Sequence, residues 1–172
     1  MNCYVLAGGR SRRMGRSKPE LFLDRVSAAA RDAFEAVIVV DRAFEGEHQD
    51  EGPIFGIEAA LRHAQPDRCF ILAVDYPLIT AELLRYLRDR GGVPLWQDKP
   101  QPLCAVYDAA LLPLVEARIA MRQFDVHGLI EEAGVEMIPE AELRTRFAGE
   151  PLLNVNTPQD LEEFHERVLA SR

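Results

Sequence analysis

Four arginines and a lysine fall within nine residues, Arg10 to Lys18, directly after the glycine pair Gly8-Gly9. Glycines leaving a buried strand carry no Cβ, so their backbone N–H groups can approach a ligand closely. N–H groups that converge in such a turn form a nest for anions. Arg13, Arg16 and Lys18 could add charge-assisted bonds to phosphate oxygens. The bland alternative is a solvated basic loop with the glycines serving only as a turn, and Arg10 and Arg12 read as solvent-facing. Two standard phosphate fingerprints fail here. Gly9 and Gly15 are separated by five residues and followed by Arg16, which breaks the Walker pattern, and G-x-G-x-x-G is absent.

A second chemical feature lies some sixty residues on, in "CFILAVDYPLI". Asp75 directly follows a strongly apolar run. A carboxylate there is either a cap for the approaching helix or a ligand for a hard cation, and Mg²⁺ characteristically takes one or two protein carboxylates plus substrate phosphates and water. Paired with an upstream phosphate loop, the ligand reading gains weight. His48, His63, His127 and His165 follow no catalytic pattern and read as surface or helix positions. Trp96 and Phe124 read as core aromatics.

These residues need elements to hold them. Short apolar runs alternate with helix-period segments: strands at 3–7, 36–40, 69–74, 93–97, 102–107, 135–138 and 151–155, and helices at 20–34, 56–64, 80–90, 110–119 and 125–133. Thr80 is the expected N-cap and Gly91 the stop of its helix. A last helix opens at "TPQD", with Thr157 as cap, Pro158 in the first turn and Asp160 completing a capping-box pattern. Strands apolar on both faces imply an α/β fold: a mostly parallel, Rossmann-like sheet with helices on both faces. Ligands of such sheets sit beyond the carboxyl ends of the strands. There the sequence places Gly8 to Lys18, Asp41, Asp75 and "NVNTP".

The chain has 172 residues, a formal charge of −8, 48% hydrophobic and 28% charged residues. That size fits a single domain, 1–172. The acidic balance excludes a general nucleic-acid binder but not a local anion site. The opening apolar run is too short, and lacks the basic flank, for a signal peptide, and no apolar run is long enough to span a membrane. Cys3, Cys69 and Cys104 are widely spaced within strand-like runs, which suggests buried, reduced thiols of a cytoplasmic protein rather than a zinc site.

"LAGGRSRRMGRSK" resembles the signature L-A-G-G-x-S-x-R-M-G-x-x-K of the molybdenum cofactor guanylyltransferases, within the wider nucleotidyltransferase group. "GPIFGI" (52–57), "AVDYPLI" (73–79), "PLCAVYDAAL" (102–111) and "PLLNVNTPQDL" (151–161) are similar to further segments of that family, in the same order. The resemblance implies a three-layer fold of the nucleotide-diphospho-sugar transferase type. It implies GTP and molybdopterin as substrates, Mg²⁺ as cofactor, molybdopterin guanine dinucleotide and pyrophosphate as products, and other cofactor-biosynthesis proteins or apo-molybdoenzymes as transient partners. Residue by residue, it puts the GTP loop on Leu6, Ala7, Gly8 and Gly9, phosphate binding and catalysis on Lys18 with Arg13, and the metal on Asp75. A nucleotide contact falls on Asp41 or Asp50, and pterin-phosphate contacts fall on Asn154 and Asn156. Three departures stand out: Ser17 replaces an acid, the stretch from Lys18 to Gly52 is short, and Phe55 replaces a small residue. The same machinery would serve a cytidylyl pterin or sugar-phosphate enzyme, or a non-catalytic accessory protein that binds nucleotide or pterin.

Overall fold

The structure, a computed structural model, describes residues 1–7, 18–41, 44 and 52–170. Along these the elements run β1 (Asn2–Leu6), α1 (Lys18–Arg31), β2 (Val37–Val40), α2 (Pro53–Ala64), β3 (Arg68–Ala73), α3 (Ala81–Arg90), β4 (Val93–Trp96), β5 (Lys99–Pro100) and β6 (Cys104–Asp108). A short 3₁₀ turn (Ala109–Leu111) leads into α4 (Leu112–Ala120), followed by α5 (Val126–Glu132), β7 (Met137–Ile138), α6 (Glu140–Arg144) and α7 (Pro158–Ala170).

The central sheet has the order β2-β1-β3-β6. Its first three strands are parallel, and β6 runs antiparallel to β3. Period-2 alternation sends successive residues to opposite faces. Cys3, Val5, Phe70, Leu72 and Val106 enter one core with Phe22, Val26 and Ala30 of α1, with Leu83, Leu84 and Leu87 of α3, and with Phe164 of α7. Tyr4, Leu6, Ile71, Ala105 and Tyr107 enter the other, with Ile57 and Leu61 of α2, Val115 of α4 and Leu129 of α5. The result is three layers, as the two-sided apolar runs require. Each fully buried aliphatic or aromatic side chain contributes about 1.5–3 kcal/mol.

Local signals behave as their chemistry dictates. Thr80 Oγ1 accepts from Leu83 N at 3.2 Å, and Gly91, at φ 70°, returns its N–H to Leu87 O. Asp160 Oδ2 accepts from the backbone N–H groups of Asn156 and Thr157 at 2.7 and 2.8 Å, while Thr157 Oγ1 accepts from Asp160 N at 3.2 Å. That reciprocal pattern is a capping box.

Three readings need correction. The stretch 151–155 forms no strand: Pro151 has no N–H to give a ladder, Leu153 N turns back to Glu150 O, and Val155 N bonds Asp75 O instead. The strand expected over 93–97 ends at Trp96, because Gln97 and Asp98 take positive φ (51° and 58°) and turn the chain into β5. The β4 strand does not join the central sheet; it pairs with β5 and β7 in a small sheet of its own. The three cysteines are free and buried. Among the described residues no helix is long and apolar enough to cross a membrane.

Candidate active site

The first three strands end in register. Leu6 is level with Val40 on one side and with Ala73 on the other. The residues that leave these ends, Ala7, Asp41 and Val74-Asp75, therefore share one rim. Ala7 N donates to Val40 O at 2.9 Å, holding the start of the glycine loop against β2. Because β6 is antiparallel, it begins rather than ends at this rim, and Ala73 N donates to Leu103 O at 2.7 Å.

The tail of the chain reaches the same place. Val155, fully buried, donates its N–H to Asp75 O at 2.8 Å. This main-chain bond sets Asn154 and Asn156 beside the end of β3. The Asn156 carboxamide bonds the Asn154 carboxamide oxygen. Asn154 is partly buried and Asn156 exposed.

Helix α1 starts at Lys18 and packs its Phe22 edge-on against Phe164 of α7, ring centroids 5.4 Å apart. Arg25 lies nearly two turns into this helix. Its Nε donates to Pro77 O at 2.6 Å, and its guanidinium lies 5.6 Å from the Phe164 ring centroid. The helix that opens with Lys18 is thus fastened to the turn that carries Asp75.

Asp75 is half-buried and follows β3 directly. Its negative charge is felt by its neighbours. Burial pushes the Tyr76 phenol and the Cys104 thiol well above their ordinary values, and the Asp75 carboxylate pushes both further in the same direction. Only the Asp75 contribution, the smaller of the two, carries the sign of a negative field, which favours a cation. Asp41 is exposed, and one of its carboxylate oxygens accepts from Phe44 N at 3.1 Å, so it shapes the turn after β2 while standing on the rim.

Of the sequence candidates, Leu6, Ala7, Asp41, Asp75, Asn154 and Asn156 meet at the carboxyl edge of the sheet, and Lys18 opens the helix tied to it. Gly8, Gly9, Arg13 and Asp50 lie outside the described residues. Trp96 and Phe124 are accounted for by packing. Trp96 is 2% exposed, donates Nε1–H to Glu150 at 3.0 Å and carries the Arg144 guanidinium 4.3 Å above its ring, while Phe124 packs on the buried Phe55. Of the histidines, His63 packs from α2 onto β1, its Nδ1 within 2.8 Å of the Tyr4 hydroxyl, whereas His127 and His165 are exposed and His48 lies outside the described residues. An open cleft of about 510 Å³ lies at the other end of the sheet, between Asn2, Glu35, His63 and Arg68. Its lining mixes opposite charges, and the parallel strands β1 and β3 begin rather than end beside it.

Sequence reasoning missed three residues of the rim. Tyr76 is fully packed and donates its hydroxyl to Gln101 Oε1 at 3.1 Å, and Arg25 makes the bond to Pro77. A glutamine between two prolines in "KPQPL" was the available signal for Gln101. Arg25 gave none.

An α/β sheet that brings Ala7, Asp41 and Asp75 to one rim, with the asparagine pair beside them, is the frame of a nucleotidyltransferase, and comparison with known proteins agrees. The family described as the MobA-like NTP transferase domain matches residues 3–132, and the chain belongs to it. A probable molybdenum cofactor guanylyltransferase of Aquifex aeolicus is 32% identical over 190 residues, covering 98% of this chain and 90% of that protein. One from Pelotomaculum thermopropionicum is 32% identical over 180 residues, covering 91% and 88%. Among solved structures, molybdopterin-guanine dinucleotide biosynthesis protein A of Archaeoglobus fulgidus superposes with a TM-score of 0.73 at 24% identity, each chain covered completely, a likeness of fold.

Proposed function

We propose that this chain, as one nucleotidyltransferase domain, transfers GMP from GTP to the terminal phosphate of molybdopterin, giving molybdopterin guanine dinucleotide and pyrophosphate. The observation that carries the reading is the shared rim: Ala7, Asp41 and Asp75 follow three parallel strands that end level, and the tail docks on Asp75 through Val155.

The chemistry asks little of acid or base groups. A phosphate monoester with a second pKa of about 6 is largely dianionic at neutral pH. Its oxygen attacks the α-phosphorus of GTP, the bond from that phosphorus to the bridging oxygen breaks, and pyrophosphate leaves with the electron pair. The protein's work is positioning and charge stabilisation. Leu6, Ala7, Gly8 and Gly9 would cradle the nucleotide, and Lys18 and Arg13 would offset charge on the α-phosphate and the leaving group. Asp41 would contact the nucleotide, and the asparagine pair would form the acceptor side of the site.

The donor chemistry of the rim fits Mg²⁺. Asp75 supplies one hard carboxylate oxygen donor beside two carboxamides, and among the described residues no group of three or more His, Cys, Asp or Glu could form a cage of its own. That is the donor set expected where substrate phosphates and water complete the shell. Asp75 would hold the ion, which when bound neutralises phosphate charge. The three buried, free thiols suit a reducing compartment such as the cytoplasm.

The test is pyrophosphate release with molybdopterin and Mg²⁺, comparing GTP with CTP, ATP and UTP. The expected result is GTP-dependent release that requires the pterin. Equal use of CTP would overturn the guanylyl assignment, and binding without release would mark an accessory protein.

A further inference from the structure

The tail meets the rim through an unbroken line of side-chain hydrogen bonds. Asn156 Nδ2 donates to the Asn154 carboxamide oxygen. The Asn154 carboxamide stands in hydrogen-bonding reach of the Tyr76 phenol. Tyr76 donates to Gln101 Oε1 at 3.1 Å. Gln101 Nε2 then donates to Trp96 O at 3.3 Å and Lys99 O at 3.0 Å, the two carbonyls flanking the β4–β5 turn.

The polarity of this line is fixed from both ends. Two carbonyls can only accept, so they hold the NH₂ of Gln101 and leave its oxygen for Tyr76. A hydroxyl that donates to Gln101 has its oxygen left to accept, so Asn154 meets it with NH₂ and turns its carbonyl to Asn156. Both halves of the Asn154 carboxamide are thereby engaged within the fold. Tyr76 is 2% exposed, Asn154 partly buried and Asn156 exposed, so the line leads from the interior to the rim.

Resting on the guanylyltransferase reading, we infer that the two asparagines divide the labour: Asn156 contacts the acceptor phosphate or pterin, whereas Asn154, Tyr76 and Gln101 are positioning residues that fix its orientation. Tyr76 supplies a hydroxyl that serves two carboxamides at once, one from the tail and one from the hairpin. Without it the Asn154 carboxamide is free to rotate, and Asn156 loses its fixed partner.

The test uses the intact enzyme and four proteins: wild type, Tyr76→Phe, Asn156→Ala and the double variant. Tyr76→Phe is expected to raise KM for the acceptor about fivefold to tenfold, the scale of one buried hydrogen bond, with KM for GTP unchanged. In the Asn156→Ala background the same change should add nothing, because the group it orients is gone. Additive effects, or equal rises for both substrates, would assign Tyr76 a merely structural role and overturn the inference. Should Tyr76→Phe fail to fold, Asn154→Asp removes the NH₂ at the outer end of the line without touching the core, and the same outcomes apply. A wild-type enzyme without acceptor-dependent turnover would sink the reading of function and this assignment together. Normal wild-type turnover with an unaltered acceptor KM in Tyr76→Phe would sink this assignment alone.

Discussion

Replacing Arg25 by methionine tests whether α1 is fastened to the Asp75 turn. Methionine keeps an apolar stem for Phe164 but removes the guanidinium that donates to Pro77 O at 2.6 Å. A hydrogen bond from a charged donor is worth roughly 1.5–3 kcal/mol when sheltered, and the exposure of Arg25 brings that to about 1–2 kcal/mol. Loss of the cation over the Phe164 ring adds about 0.5 kcal/mol. For a chain of this size, each kcal/mol shifts the melting temperature by about 2–4 °C, so a drop of roughly 3–10 °C is expected in a thermal melt followed by circular dichroism. The same variant should lower kcat/KM for GTP by about tenfold, because the helix that starts at Lys18 is no longer held in place. Arg25→Lys, which keeps a donor, should recover part of both effects. A melt within about 1 °C of wild type with unchanged GTP kinetics would refute the fastening.

Lys18→Ala and Asp75→Ala should each keep the far-ultraviolet spectrum of the wild type and lose about 10²- to 10³-fold in pyrophosphate release, the usual cost of one charge-stabilising group; near-normal turnover in either would remove that residue from the mechanism. Acid stability should depend on Glu142, whose carboxyl is held below its ordinary value of 4.5 first by the Tyr86 hydroxyl and then by Arg90. The folded form releases this proton more readily than the unfolded one, so the stabilisation is complete above the ordinary value and lost as pH falls through the lower, folded one. Urea midpoints measured from about pH 6 down to pH 3 should fall less steeply in Glu142→Gln than in wild type, and parallel curves would refute the contribution. The thiols of Cys3 and Cys69, buried and raised (Cys69 to about 12), should resist alkylation at neutral pH until the chain is unfolded, as mass spectrometry would read.

Much of this was legible because the signals were local. Two-sided apolar runs such as "CFILAV", alternating with helix-period segments, favour central strands, and the carboxyl-end rule then points to where Asp41 and Asp75 stand. Thr80, Gly91 and the Thr157–Asp160 box mark helix ends through bonds made within a few residues. The direction of β6 was not legible, since an apolar run reads the same parallel or antiparallel. Nor was the fate of 151–155: "PLLNV" has strand composition, but its backbone donor goes to a carbonyl eighty residues away. In the sequence Tyr76 is only the residue between Asp75 and Pro77. Its partners Gln101 and Asn154 come from distant segments, and no periodicity announces a contact of that kind. The motif resemblance reached further than the local physics did, because it carried the asparagine pair to the rim without a structural reason.

The bond from Val155 N to Asp75 O joins the late part of the molecule to the early part through main-chain atoms alone. Such a clasp is indifferent to which side chain stands at 155, provided its bulk fills the space, so isoleucine or leucine could replace valine over time without loosening it. Proline is the exception: it has no hydrogen to offer there. A saturation screen at this codon should therefore tolerate most aliphatics and reject proline outright.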